Sequence, residues 1–345
     1  MILIVSTDQI DLFSVFLICI MKFHLNYKPS LSTQKITHNE RLLMIGSCFS
    51  EHIGDRLNEL KFNLFSNPFG IVFNPKSIEL MLLRSIRKDY FTESTIFEKD
   101  SQYFCFEAHS VFTEDNAAQL INKLNETIDH CHSILISLDY LIITFGSAFA
   151  YKHNDTQSIV ANCHKLPQAV FEKVLLEQDG IASDYKRLMD ELKTVNSNIK
   201  IIFTVSPVKH LREGVEENSL SKAILIQTVH KLVKQFENCF YFPAYELVND
   251  DLRDYRFYEP DMAHPNGQAI DYVWQRFSEV YFSNDTLLLN DKLKQLNQAM
   301  KHRIFHERSE SSIKFKNDFF RKCKELQEEF PFLNLSKELN YFNTL

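Results

Sequence analysis

Glycine is scarce in this chain, with seven residues in 345 against 30 Phe. No G-x-G-x-x-G or G-K-[ST] string occurs, so neither a dinucleotide fingerprint nor a Walker phosphate cradle is available. A long basic run is also missing, and the formal net charge is −7. Nucleic acids are held by clustered Lys and Arg, so they are excluded as expected partners. The seven cysteines, at 19, 48, 105, 131, 163, 239 and 323, are odd in number and include no C-x-x-C. That pattern gives neither a disulfide framework nor a zinc ligand set, and it fits reduced thiols in a cytoplasm. His130-Cys131-His132 has ligand chemistry but falls at the end of an amphipathic pattern. No metal and no cofactor are therefore expected. The apolar stretch 12–21 is too short to span a bilayer. It follows Asp8 and Asp11 rather than Lys or Arg, and no small-residue cleavage site comes after it. Residues 1–20 read as an upstream extension or a degenerate signal.

What is present is ordinary globular material, 45% hydrophobic and 24% charged. Short apolar runs at 41–45, 138–145, 199–205 and Cys239–Phe242 read as buried strands. Helical spacing of apolar residues marks 50–60, 77–87, 117–128, 184–195 (capped by Ser183) and 221–236, and Pro265 suits the first turn of another helix. Strands alternating with helices imply an α/β fold with a parallel sheet covered on both faces. The domain is expected over residues 21–285. From 286 to 345 the chain changes character and reads as a helical extension interrupted at Ser309-Glu310-Ser311-Ser312. From Thr286 onward it carries 11 basic and 8 acidic residues. Its helices are expected to pack on the body or on a second copy.

Two distant motifs carry chemistry. Gly46-Ser47-Cys48-Phe49-Ser50 follows the first strand, and Asp261-Met262-Ala263-His264-Pro265 precedes the last helix of the domain. An activated Ser or Cys, a His that takes its proton and a carboxylate that orients the His are the parts of covalent catalysis. His264 is the expected base and Asp261 its orienter, three residues apart in one turn. Ser47 and Cys48 both stand as nucleophile. A helix N-terminus just downstream is expected to lower the pKa of the Cys48 thiol.

Further blocks lie between these motifs: Asn67-Pro68-Phe69-Gly70, Thr144-Phe145-Gly146-Ser147-Ala148, Asn162-Cys163-His164-Lys165 and Ser206-Pro207-Val208-Lys209-His210. With them the chain resembles the GSCFA-domain proteins, a bacterial family placed in the SGNH/GDSL hydrolase superfamily. The resemblance covers about residues 21 to 282. It implies a three-layer α/β/α hydrolase-like fold and ester hydrolysis or acyl transfer on a small ester or acylated carbohydrate. In the GDSL register Gly46 matches Gly, Ser47 matches Asp and Cys48 matches the nucleophilic Ser; a shift of one residue gives the role to Ser47. The second block offers the Gly70 amide as oxyanion donor. The third block lacks the usual Asn, leaving Gly146, Ser147 or Asn162 to replace it. His164 and Arg256 are expected to contact substrate, with Arg253, Tyr258 and His210 as further site residues. Two other readings stay open: a non-catalytic small-molecule or carbohydrate-binding module, and a partner-binding scaffold working through the C-terminal helices.

Overall fold

The computed structural model describes residues 25–303, 306 and 309–343. The extension expected over residues 1–20, with Cys19, lies outside the described residues. Five strands form the central sheet: β1 (Arg41–Gly46), β2 (Asn63–Ser66), β3 (Tyr140–Phe145), β4 (Lys200–Val205) and β5 (Cys239–Phe242). Their order across the sheet is β2-β1-β3-β4-β5, and every pairing is parallel. β1, β3 and β4 are almost wholly apolar because a parallel sheet between two helical layers buries both faces.

Alternation divides these residues between two cores. Leu43, Ile45, Leu141, Ile143, Ile201 and Phe203 face one layer. It is built from α2 (Pro75–Arg87), α3 (Ala117–Ile136), α4 (Gln178–Val195) and α5 (Val215–Gln235). Leu42, Met44, Tyr140, Ile142 and Ile202 face the other layer. That layer contains α1 (Cys48–Glu59), α6 (Gly267–Tyr281), α7 (Asn284–Lys301), α8 (Glu310–Glu329) and α9 (Ser336–Phe342). The architecture is thus three-layer α/β/α with a parallel sheet, extended by C-terminal helices. A hairpin of Ile96–Lys99 with Gln102–Cys105, and an antiparallel trio of Phe149–His153 between Ile159–Val160 and Phe171–Leu175, are inserted at the periphery.

Several boundaries differ from those expected. α4 starts at Gln178 rather than near Asp184, with Glu177 instead of Ser183 at its N-cap, because Ile181 and Ala182 extend its buried face. α5 starts at Val215, not Ser221. Pro265 lies just outside α6, and Asn266 caps that helix by accepting the Ala269 amide at 3.2 Å. The expected interruption is present but ends at Ser309: α7 stops at Lys301, and Ser309 is the N-cap from which α8 starts at Glu310. Cys323, Leu326 and Phe342 from the last helices join the same apolar core as Leu42 and Phe49. Lys61 pairs with Glu338 across that contact at 2.7 Å. Among the described residues no helix is long and apolar enough to cross a membrane.

Candidate functional site

The register aligns Gly46, Thr144, Thr204 and Phe242 in one row at the carboxyl ends of four adjacent strands. In an open sheet of order 2-1-3-4-5, ligands bind outside this edge, where the strand order reverses between β1 and β3. Ser47 and Cys48 leave β1 at that point. Gly46 makes the turn possible: its φ is +149°, and a Cβ there would stand 2.3 Å from the Thr144 carbonyl oxygen. Ser47 occupies the N-cap position of α1, but its side chain makes no capping bond. Its Oγ is buried without a partner.

Cys48 opens the first turn of α1 and is half-buried. Burial raises its thiol pKa above the ordinary value near 9, and Glu51 raises it further. The amides of Phe49 and of Cys48 itself, and the charge of Lys222, act in the opposite sense. This corrects the expected lowering. The helix amides pull the thiol toward thiolate, but desolvation and a carboxylate one turn away outweigh them.

The second motif forms a compact loop. Asp261 Oδ1 accepts the amides of Ala263 at 2.9 Å and His264 at 3.0 Å, and Oδ2 meets His264 Nδ1 at 2.6 Å. The His264 and Ala263 amide bonds, then the imidazole, hold the Asp261 carboxyl down at about 2. A fixed carboxylate at Nδ1 sets the ring's tautomer and leaves Nε2 for proton transfer. The Lys209 amide donates to Ala263 O at 3.0 Å, which ties this loop to the exit of β4. No hydrogen bond joins Ser47 or Cys48 to His264 among the described residues. Resting enzymes often leave such contacts long until substrate binds.

Two further groups occupy the edge. His210 presses its ring against Phe73 at 5.1 Å, and its Nε2 is buried without a partner. Burial, followed by the charges of Lys222 and His264, lowers its pKa to about 3, so the ring is neutral. Lys222, on α5, is 1% exposed and donates to the carbonyls of Gly146 and Ser206 at 2.6 and 2.8 Å. Sequence reasoning missed Lys222. The available signal was its place on the apolar stripe with Leu225, Val229 and Leu232, where an unpaired lysine is anomalous.

The expected oxyanion donors are otherwise engaged. The Gly70 amide donates to Asn67 O at 2.8 Å, and the amides of Gly146 and Ser147 donate to Phe73 O at 2.8 and 3.4 Å. Ser147 Oγ accepts the Phe149 amide at 3.0 Å and lies 3.3 Å from Ser221 Oγ. Asn162 Oδ1 accepts the His164 amide at 2.8 Å. His164 itself is buried among Phe97, Phe104 and Phe106, its Nε2 against Cys105 O at 2.7 Å. Arg256 is exposed and stands 3.8 Å from Asp254. Sequence reading also passed over the role open to Asn67. Its Oδ1 accepts the Gly46 amide at 2.9 Å, while its Nδ2 is buried with no partner.

The structure defines an α/β protein with a parallel sheet, with the Ser47-Cys48 turn at its carboxyl rim and the Asp261–His264 loop tied to that rim. The family is identified by comparison. The GSCFA family profile matches residues 41–277, and the profile of the GSCFA domain protein, C-terminal domain, matches residues 293–345. The chain belongs to the GSCFA family. No curated protein matches it. Among solved structures, a carbohydrate esterase family 3 protein from Talaromyces cellulolyticus is similar over 73% of this chain and 99% of that one. The identity is 8% and the TM-score 0.34, too slight a likeness to carry any inference.

Proposed function

We propose that this chain is an SGNH-type hydrolase of ester bonds, acting on a small ester or an acylated carbohydrate through a covalent intermediate on Cys48. The observation that carries this reading is the Asp261–His264 bond of 2.6 Å on a loop tied to the strand edge from which Cys48 emerges. Ser47 is the less suitable nucleophile, because its Oγ is buried while Cys48 is half-exposed. In the first half-reaction the Cys48 proton passes to His264 Nε2, sulfur attacks the ester carbonyl, and the C–O bond breaks as His264 protonates the departing alcohol. In the second, His264 takes a proton from water and the hydroxide attacks the thioester. The C–S bond then breaks and the thiol recovers its proton. The raised thiol makes base assistance necessary: Cys48 starts as a thiol, not as a preformed thiolate.

Negative charge on the carbonyl oxygen needs fixed donors. Asn67 Nδ2 supplies one in this reading, replacing the Asn that the third block lacks. Asn67→Asp keeps an acceptor for the Gly46 amide but removes the donor. It is expected to lower kcat on p-nitrophenyl acetate by about 10²–10³-fold with an unchanged circular dichroism spectrum. Equal kcat in variant and wild type would remove Asn67 from the oxyanion site.

The nucleophile is tested by labelling with iodoacetamide and with a fluorophosphonate in wild type, Cys48→Ala, Ser47→Ala and His264→Ala, with adducts located by mass spectrometry. Adduct at Cys48 that forms faster than at the other cysteines and slows in His264→Ala is the expected result. Adduct confined to Ser47 transfers the role to that residue. Labelling indifferent to His264 sinks the covalent mechanism and leaves a binding module.

A further inference from the structure

Lys222 is a basic group buried in the core, with no carboxylate paired to it among the described residues. Its stem lies among apolar residues of α5, and its ammonium donates to Gly146 O and Ser206 O. These carbonyls immediately follow β3 and β4, two steps beyond the row in which Gly46 pairs with Thr144 and Thr144 with Thr204. Strands stand about 4.8 Å apart, so the ammonium is within roughly two strand spacings of the point where β1 delivers Cys48. No carboxylate pairs with it among the described residues, and the one acidic group whose charge acts on it is the Cys48 thiol. The other groups around this pair are Glu51 beside Cys48, His210 in the loop after β4, and Tyr245, whose ring centroid is 6.0 Å from Nζ. His210 is neutral and Tyr245 is a phenol, so neither supplies the counter-charge.

A buried ammonium without an anion is strongly unfavourable, and burial lowers the Lys222 pKa to about 7, with the Cys48 thiolate acting in the opposite sense. Two carbonyl acceptors relieve its hydrogen-bonding need but not its charge. The anion that would complete the pair is the one made when Cys48 loses its proton. We propose that Lys222 is the positioning residue of the Cys48 site. Its ammonium fixes the loops after β3 and β4 against each other and supplies the positive charge that stabilises the Cys48 thiolate as the proton leaves for His264. This inference rests on Cys48 as nucleophile. It adds a residue from α5 that none of the sequence blocks contains.

The coupling is measured without any substrate, so its failure is distinct from failure of the hydrolase reading. The first measurement is the pH profile of Cys48 alkylation by iodoacetamide in wild type, Lys222→Met and Lys222→Arg, each checked for fold by near-UV circular dichroism. Below pH 7, where Lys222 carries its charge, the Met variant is expected to be alkylated about tenfold more slowly than wild type, and the difference is expected to fade as pH rises through 8. Arg restores most of the rate. The second keeps the native lysine and so does not depend on a variant folding. In protein carrying ¹³C-lysine, the Lys222 Cε signal is titrated after Cys48 is converted to its carboxymethyl or its carbamidomethyl adduct. Linkage is reciprocal, so the anionic adduct must raise the Lys222 titration midpoint above that of the neutral one. Identical midpoints in the two adducts, or an unmoved thiol profile in a folded Met variant, would show that Lys222 is a structural staple and overturn the proposal.

Discussion

Hydrolysis of p-nitrophenyl acetate by His264→Ala is expected to fall by about 10²–10⁴-fold in kcat/KM, the range over which a positioned general base acts. Two other histidines are poorly placed for the role. His210 is held neutral, but its Nε2 is buried. His164 is closed into an aromatic cluster far along the chain. Asp261→Asn is expected to lose a large part of the same factor, since the carboxylate that fixes Nδ1 becomes an amide. The pH dependence separates the partners. A carboxyl held at about 2 stays ionised through the whole working range, so loss of rate on acidification does not come from Asp261. The thiol is shifted the other way. With its pKa above 9, the thiolate fraction still grows as pH passes that value. In His264→Ala, where no base assists, alkylation of Cys48 must therefore keep rising with pH through and beyond 9. A plateau at neutral pH in that variant would mean that the thiol is already ionised and needs no base.

The largest expected effect on stability comes from Gly46→Ala. The new Cβ would lie 2.3 Å from Thr144 O and 2.8 Å from Thr144 Cβ, at a φ of +149°. The carbonyl cannot step aside, because Thr144 is held in register with both β1 and β4. Strained backbone and overpacking together are expected to destabilise the fold by roughly 3 kcal/mol or more, read as a lower urea midpoint at unchanged slope. Gly180→Ala is the matched control. Gly180 lies inside α4 with nothing within 4 Å of a Cβ, so the change is expected to stabilise by about 0.5–1 kcal/mol. Equal midpoints for the two variants would show that the turn after β1 is not under the constraint described.

The parts of this fold that were legible in sequence are those with strong local signals. Cys239–Phe242 and the apolar runs of β1, β3 and β4 are short, largely apolar stretches between helices, the pattern of strands in a covered parallel sheet. β2 was not legible: Asn63-Leu64-Phe65-Ser66 is half-buried at the sheet's edge and carries no periodic pattern. The Asp261–His264 pair could be read because both partners lie in one turn. Lys222 and Asn67 were passed over. Their hydrogen-bond partners lie 76 and 21 residues away, at strand ends that only the sheet brings together. The oxyanion assignments failed for a related reason. Gly70, Gly146 and Ser147 were placed correctly near turns, but an amide in a turn is usually spent on the turn itself, as the bonds to Asn67 O and Phe73 O show.

The apolar core beneath α1 draws on residues from nearly the whole described chain, from Leu42 and Phe49 to Cys323, Leu326 and Phe342. This has a consequence for biosynthesis. Leu42 is made roughly 300 residues before Phe342, a delay of about 15–60 s at ordinary elongation rates. Throughout it, one face of the central strand lacks its final cover. A growing polypeptide therefore presents sticky surface for most of its translation, and a message truncated ahead of α8 would yield a product that keeps that surface permanently, a target for chaperones and proteases whatever the state of its sheet's carboxyl edge.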